Sequence, residues 1–94
     1  MSRVSLKGKD DSVSEVVVGI DPPLQCWFVQ VYGPNPDEDP VKDIDMASQG
    51  QVLDVMNRYA DMSSPLAKRA YDFIVLDLDP QRAVDELKKK TRGV

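Results

Sequence analysis

The side chains in this sequence best suited to chemistry are carboxylates. Asp77 and Asp79 stand one leucine apart in the run FIVLDLDP, Phe73 to Pro80, behind four apolar residues. If that run is a strand, residues at i and i+2 share a face and both carboxylates arrive at its carboxyl end. One can then attack as a nucleophile while the other moves a proton. A second group, Asp37, Glu38, Asp39, Asp43 and Asp45, is crowded into one short stretch, and oxygen-rich sets of this kind suit a hard cation such as calcium. Other chemistries lack their residues. With no histidine and one cysteine, Cys26, serine-histidine and cysteine-histidine pairs, two-histidine iron sites and the usual zinc ligand sets cannot be assembled.

The run FIVLDLDP resembles the first motif of the haloacid dehalogenase-like phosphatases, in which an apolar strand ends in Asp-x-Asp. The resemblance implies a nucleophilic Asp77, an acid/base Asp79 and a doubly wound parallel sheet. It covers eight residues and departs after the second aspartate, where Pro80 and Gln81 replace the family's Gly and its following Thr or Val. The family's phosphate-binding lysine and metal-binding acids come from well downstream, and only fourteen residues follow Pro80. The alternative needs no chemistry: Asp79 caps a helix, Asp77 is solvated, and the apolar run is core. No catalytic residue, metal site or cofactor is therefore expected, and no family is recognised over the length of the chain.

The acidic stretch has a similarly plain alternative. Asn35, Asp37 and Asp39 have calcium-loop spacing, but Pro40 stands where the loop needs glycine and Met46 where it needs a bidentate glutamate. A solvated acidic loop, or one that meets a partner, is the simpler reading. Gly8-Lys9 has neither the upstream glycine nor the following Ser/Thr of a phosphate loop. Lys88, Lys89, Lys90 and Arg92 form a basic tail that could meet a nucleic acid. A lysine-rich helix end is more simply a complement to the helix dipole, and no aromatic residue interleaves it to stack on bases.

These residues must be positioned by a small body. Ninety-four residues suffice for one apolar core. The net charge of -4 is uneven: residues 21–79 carry eleven acids against four bases, and residues 80–94 five bases against two acids. Such a surface repels polyanions, which makes nucleic acid an unlikely main partner. No stretch reaches the roughly 20 apolar residues of a membrane span, and none reads as a signal peptide. The expected location is cytoplasmic, with no membrane contact.

Residues 1–12 mix Ser, Lys, Gly and Asp around isolated Val4 and Leu6 and are expected as a mobile arm. Residues 13–20 and 24–32 are rich in β-branched and aromatic residues and are separated by Asp21-Pro22-Pro23, predicting two antiparallel strands. Leu24, Cys26, Phe28 and Tyr32 fall on one face of the second, and Trp27, Val29 and Val31 on the other. After the loop GPNPDEDP, residues 41–46 alternate weakly as a third strand. Ser48-Gln49-Gly50-Gln51 is a capping box, and Ser64-Pro65 and Asp79-Pro80 are helix starts. Helices are predicted over 49–61, 65–78 and 80–91. FIVLDLDP, lying between two start signals, can equally be the end of a helix.

The expectation is an α+β fold: a β-hairpin or three-stranded meander over 13–46, then two or three helices packed on one face. Residues 13–91 make the globular domain and 92–94 a tail. Without a catalytic set, the expected function is that of a small non-enzymatic module acting through protein contact, with another protein or as a homodimer. Its candidate surfaces are the sheet face at Trp27, Val29 and Val31 and the acidic residues Asp37, Glu38, Asp39, Asp43 and Asp45. The alternatives are a nucleic-acid accessory factor using the basic tail and a metal-assisted hydrolase at Asp77 and Asp79.

Overall fold

The computed structural model describes residues 2–21, 26–35 and 37–92, with backbone alone for residue 2 and for residues 88–92. Four strands come first, β1 (Ser2–Lys7), β2 (Glu15–Asp21), β3 (Cys26–Tyr32) and β4 (Lys42–Ala47). Three helices follow, α1 (Gln49–Tyr59), α2 (Pro65–Val75) and α3 (Gln81–Arg92). The strands form one antiparallel sheet in the order β1-β2-β3-β4. The fold is thus α+β. The Pro22-Pro23 corner and Leu24 lie outside the described residues.

The expected mobile arm is a strand. Residues 2–7 pair with β2 from Ser2 opposite Ile20 to Lys7 opposite Glu15. Val4 and Leu6, an i, i+2 pair, are 1% and 2% exposed. Burying each contributes about 1.5–3 kcal/mol, which together with the ladder to β2 offsets the cost of ordering six residues whose average composition is polar. Just beyond the strand, the Lys9 amide donates to the Tyr59 carbonyl (2.8 Å) and the Asp61 amide to the Lys7 carbonyl (2.9 Å). The chain leaving α1 therefore clasps the outer edge of β1 at Gly8 and Ala60. Gly8 has no room for a side chain: a Cβ there would stand 1.8 Å from the Val13 carbonyl oxygen.

One face of the sheet builds the core. Val4, Leu6, Val16, Val18, Trp27, Val29 and Val31 meet Val52, Val55 and Met56 of α1, Ala67, Ala70 and Ile74 of α2, and Ala83 of α3. The period-2 alternation of the strands and the i, i+3, i+4 spacing of Val52, Val55 and Met56 turn the two apolar sets toward one another. Ser48 closes its capping box: its Oγ accepts from the Gln51 amide (3.1 Å), and Gln51 accepts from the Ser48 amide (2.8 Å).

The run FIVLDLDP is not a strand. Phe73 to Val75 complete α2 and Leu76 is its C-cap. Asp77 then turns left-handed at φ 60°. The Asp77 amide donates to the Ile74 carbonyl (3.0 Å) and the Leu78 amide to the Phe73 carbonyl (2.7 Å). This pair of bonds is a Schellman motif, with aspartate where glycine usually stands.

Candidate interaction surface

Asp77 and Asp79 occupy a helix end and a helix start. Asp77 is exposed at the end of α2, while the Asp79 carboxylate accepts from the Gln81 amide (2.9 Å) and so caps α3. The two are not delivered together to a strand end, which removes the geometric basis of the phosphatase resemblance. Asp37, Glu38, Asp39, Asp43 and Asp45 are all exposed. Among the described residues no group of three or more His, Cys, Asp or Glu side chains is placed to hold a metal ion. The side chains of Lys88, Lys89, Lys90 and Arg92 lie outside the described residues.

Trp27, Val29 and Val31, expected as a contact face, are 8%, 0% and 0% exposed. They lie on the face that the helices cover and are committed to the core. The sequence had split β3 into these two faces; it could not say which one the helices would take. That leaves the other face.

Alternation gives the open face Arg3, Ser5 and Lys7 from β1, Glu15, Val17, Gly19 and Asp21 from β2, and Cys26, Phe28, Gln30 and Tyr32 from β3. β4 is irregular here. Trp27 pairs with Ala47 and Val29 with Ile44, so Asp45 and Met46 both stand opposite Phe28. Two residues against one is a β-bulge, a device that sharpens the local twist and re-aims side chains. The bulge holds Met46 at φ 52°, a left-handed conformation that costs a non-glycine residue about 1–2 kcal/mol. Its side chain is 73% exposed.

Together these residues enclose an open depression of about 550 Å³. Phe28 and Cys26 supply apolar surface, Arg3 and Gln30 donors, and Asp21, Asp45 and Met46 the rim. Phe28 is 8% and Val17 0% exposed, so longer neighbours already roof the middle of the face. Beside the depression runs a polar ladder: the Tyr32 hydroxyl donates to the Gln30 Oε1 (3.3 Å), and the Gln30 amide reaches Asp43 at 3.5 Å. Ser5 donates to Glu15.

The helical layer holds two ion pairs, Arg58 with Asp54 at 3.1 Å and Arg69 with Glu86 at 2.7 Å. Among the described residues no ion pair joins the charges of the open face. The sequence offered two signals for this surface, the opposite orientation of Trp27 and Phe28 and the acidic residues Asp43 and Asp45; nothing in it marked Arg3, Gln30 or Met46.

No known protein family, curated protein or solved structure matches this chain. Among the described residues no helix is long and apolar enough to cross a membrane.

Proposed function

We propose that this chain is a small binding module that acts through protein contact made by the open face of its sheet. The observation that carries this reading is the one-sided cover: three helices occupy one face, while the other presents a depression of about 550 Å³ lined by residues of all four strands. Met46 supports it. A long apolar side chain held left-handed and 73% exposed at the rim is costly in isolation, and such costs concentrate where a surface is used. Asp45 and Asp43 supply the polar rim that surrounds the buried centre of a contact.

The reading is tested with Met46→Asp in the full-length chain. Aspartate tolerates the left-handed conformation better than methionine, so the fold is retained while a charge enters the rim. Affinity capture from the native cell should lose a specific retained protein with Met46→Asp and keep it with Val75→Asp, a charge added at an exposed position on α2. Capture that is equal for the two variants refutes the open face as the contact surface.

A further inference from the structure

The charges of the open face are sorted across the strands. β1 presents Arg3 and Lys7, β2 presents Glu15 and Asp21 at its two ends with Val17 and Gly19 between them, β3 presents the uncharged Phe28 and Gln30, and β4 presents Asp43 and Asp45. The register also places these residues in rows. Arg3 pairs with Gly19, Gly19 with Phe28, and Phe28 stands opposite the bulge of Asp45 and Met46. One row further on, Ser5, Val17, Gln30 and Asp43 are in line. At about 4.8 Å between strands, β1 and β4 lie roughly 14 Å apart, beyond the Debye length of about 8–10 Å at ordinary salt. The β1 and β4 flanks therefore do little to neutralise one another within one copy, and the acids near β1 are those of β2, Glu15 opposite Lys7 and Asp21 in the depression with Arg3.

We infer that the occupant of the open face is a second copy of this chain, packed sheet to sheet about a two-fold axis that runs along the strands. This rests on the reading of that face as a protein contact. A two-fold rotation about the strand direction turns one face onto the other and exchanges β1 with β4, while each row stays at its own level. Arg3 then lies over Asp45 of the second copy, Ser5 over its Asp43, and Phe28 over its Gly19. Each contact is made twice, as an isologous interface requires. A two-fold axis across the strands would instead set β1 over β1 and β4 over β4, like charge against like. The charge order thus selects one of the two ways in which sheets pack in near alignment. Four strands of six or seven residues present a footprint on the order of 400 Å² per copy. That is about half the ~800 Å² of a stable interface, so the dimer belongs to the weak, reversible class.

The test is charge exchange, read by sedimentation equilibrium of the full-length chain from about 10 µM to about 1 mM, a range chosen to span a weak equilibrium. The unaltered chain should associate to a dimer within this range. Arg3→Glu alone and Asp45→Arg alone, both at exposed positions, should each weaken association at least about tenfold, because like charges then face each other twice. Mixing the two variants should restore it as a heterodimer: in one row the new glutamate of the first variant meets the new arginine of the second, and in the other the unaltered Asp45 meets the unaltered Arg3. The double variant Arg3→Glu/Asp45→Arg should again form a homodimer. A chain that stays monomeric at the highest concentration overturns the inference, as does a dimer indifferent to both single variants or a mixture that fails to reassociate. A monomer whose Met46→Asp variant still loses its captured protein overturns the second copy alone and leaves the binding module standing.

Discussion

Replacing Asp77 by glycine should stabilise this protein, although Asp77 is half of the pair that most resembles an active site. Its backbone sits at φ 60°, closing the Schellman motif through the 3.0 Å and 2.7 Å bonds to Ile74 and Phe73. An L-residue in that region costs about 1–2 kcal/mol, with aspartate toward the low end. The carboxylate also stands at the negative end of the α2 dipole, an exposed placement that costs about 0.3 kcal/mol. Against these gains, glycine frees the unfolded chain by about 0.5 kcal/mol. The net gain is about 0.8 kcal/mol, or roughly 3–6 °C in Tm for a domain of this size. Asp77→Asn keeps the tolerance and removes the charge, for a gain of about 0.3 kcal/mol. Asp77→Ala loses about 0.5–1 kcal/mol, since alanine has no polar side chain to favour the left-handed region. Urea and thermal melts followed by circular dichroism should rank the four as Gly, Asn, Asp, Ala. An alanine variant as stable as the glycine variant would refute a left-handed residue 77, and the helix-end account of FIVLDLDP with it.

Deleting residues 1–7 removes Val4 and Leu6 from the core, about 3–6 kcal/mol of burial. That approaches the whole stability of a small domain, so the truncated chain should lack a cooperative melt; a folded product would reinstate the mobile arm. Gly8→Ala forces a Cβ into the Val13 carbonyl and should cost about 2–3 kcal/mol, visible as a fall in the urea midpoint. Ser48→Ala removes the hydroxyl that accepts from the Gln51 amide, while the backbone amide of residue 48 still donates to the Gln51 side chain, and should cost about 1 kcal/mol. The Asp61 carboxylate is held below its ordinary value of 3.8, first by the Ser63 hydroxyl and then by the Ser63 amide. A depressed carboxylate contributes stability that is present above the ordinary value and lost as pH falls through the folded-state value. Wild type should therefore exceed Ser63→Ala by a constant margin near neutrality, with the margin closing in acid, and carbon-detected NMR should place the Asp61 titration higher in the variant.

What could be read in the sequence was whatever is encoded locally. The capping box at Ser48 is a four-residue chemical pattern, and the structure contains both of its bonds. Asp79 caps α3 as its position before Pro80 suggested. Ser64 shows the limit of such signals: it is the N-cap of α2, yet its side chain makes no capping bond. Proline at the first helical position suffices there, because it removes one of the amides a cap would serve. β1 was missed for a related reason. Its polar composition dominated a twelve-residue average, while the two-residue alternation of Val4 and Leu6 was the informative signal.

The open face was less legible because it depends on a choice that no single strand records. β3 is apolar on both faces, so period-2 alternation separates Trp27 from Phe28 without deciding which of them the helices cover. That decision belongs to the connection from β4 into α1. Ala47 pairs with Trp27 and, at 5% exposure, joins the core. Ser48 then starts α1 at once, and Val52 falls on the same side. The bulge at Asp45 and Met46 takes part in this hand-over: its extra residue restores the inward direction to Ala47 after Ile44. Without it, period-2 alternation from Ile44 would turn Met46 inward and Ala47 outward. The strain at Met46 thus accompanies the register that seats α1 on the Trp27 face and leaves Phe28, Arg3 and Asp45 on the other.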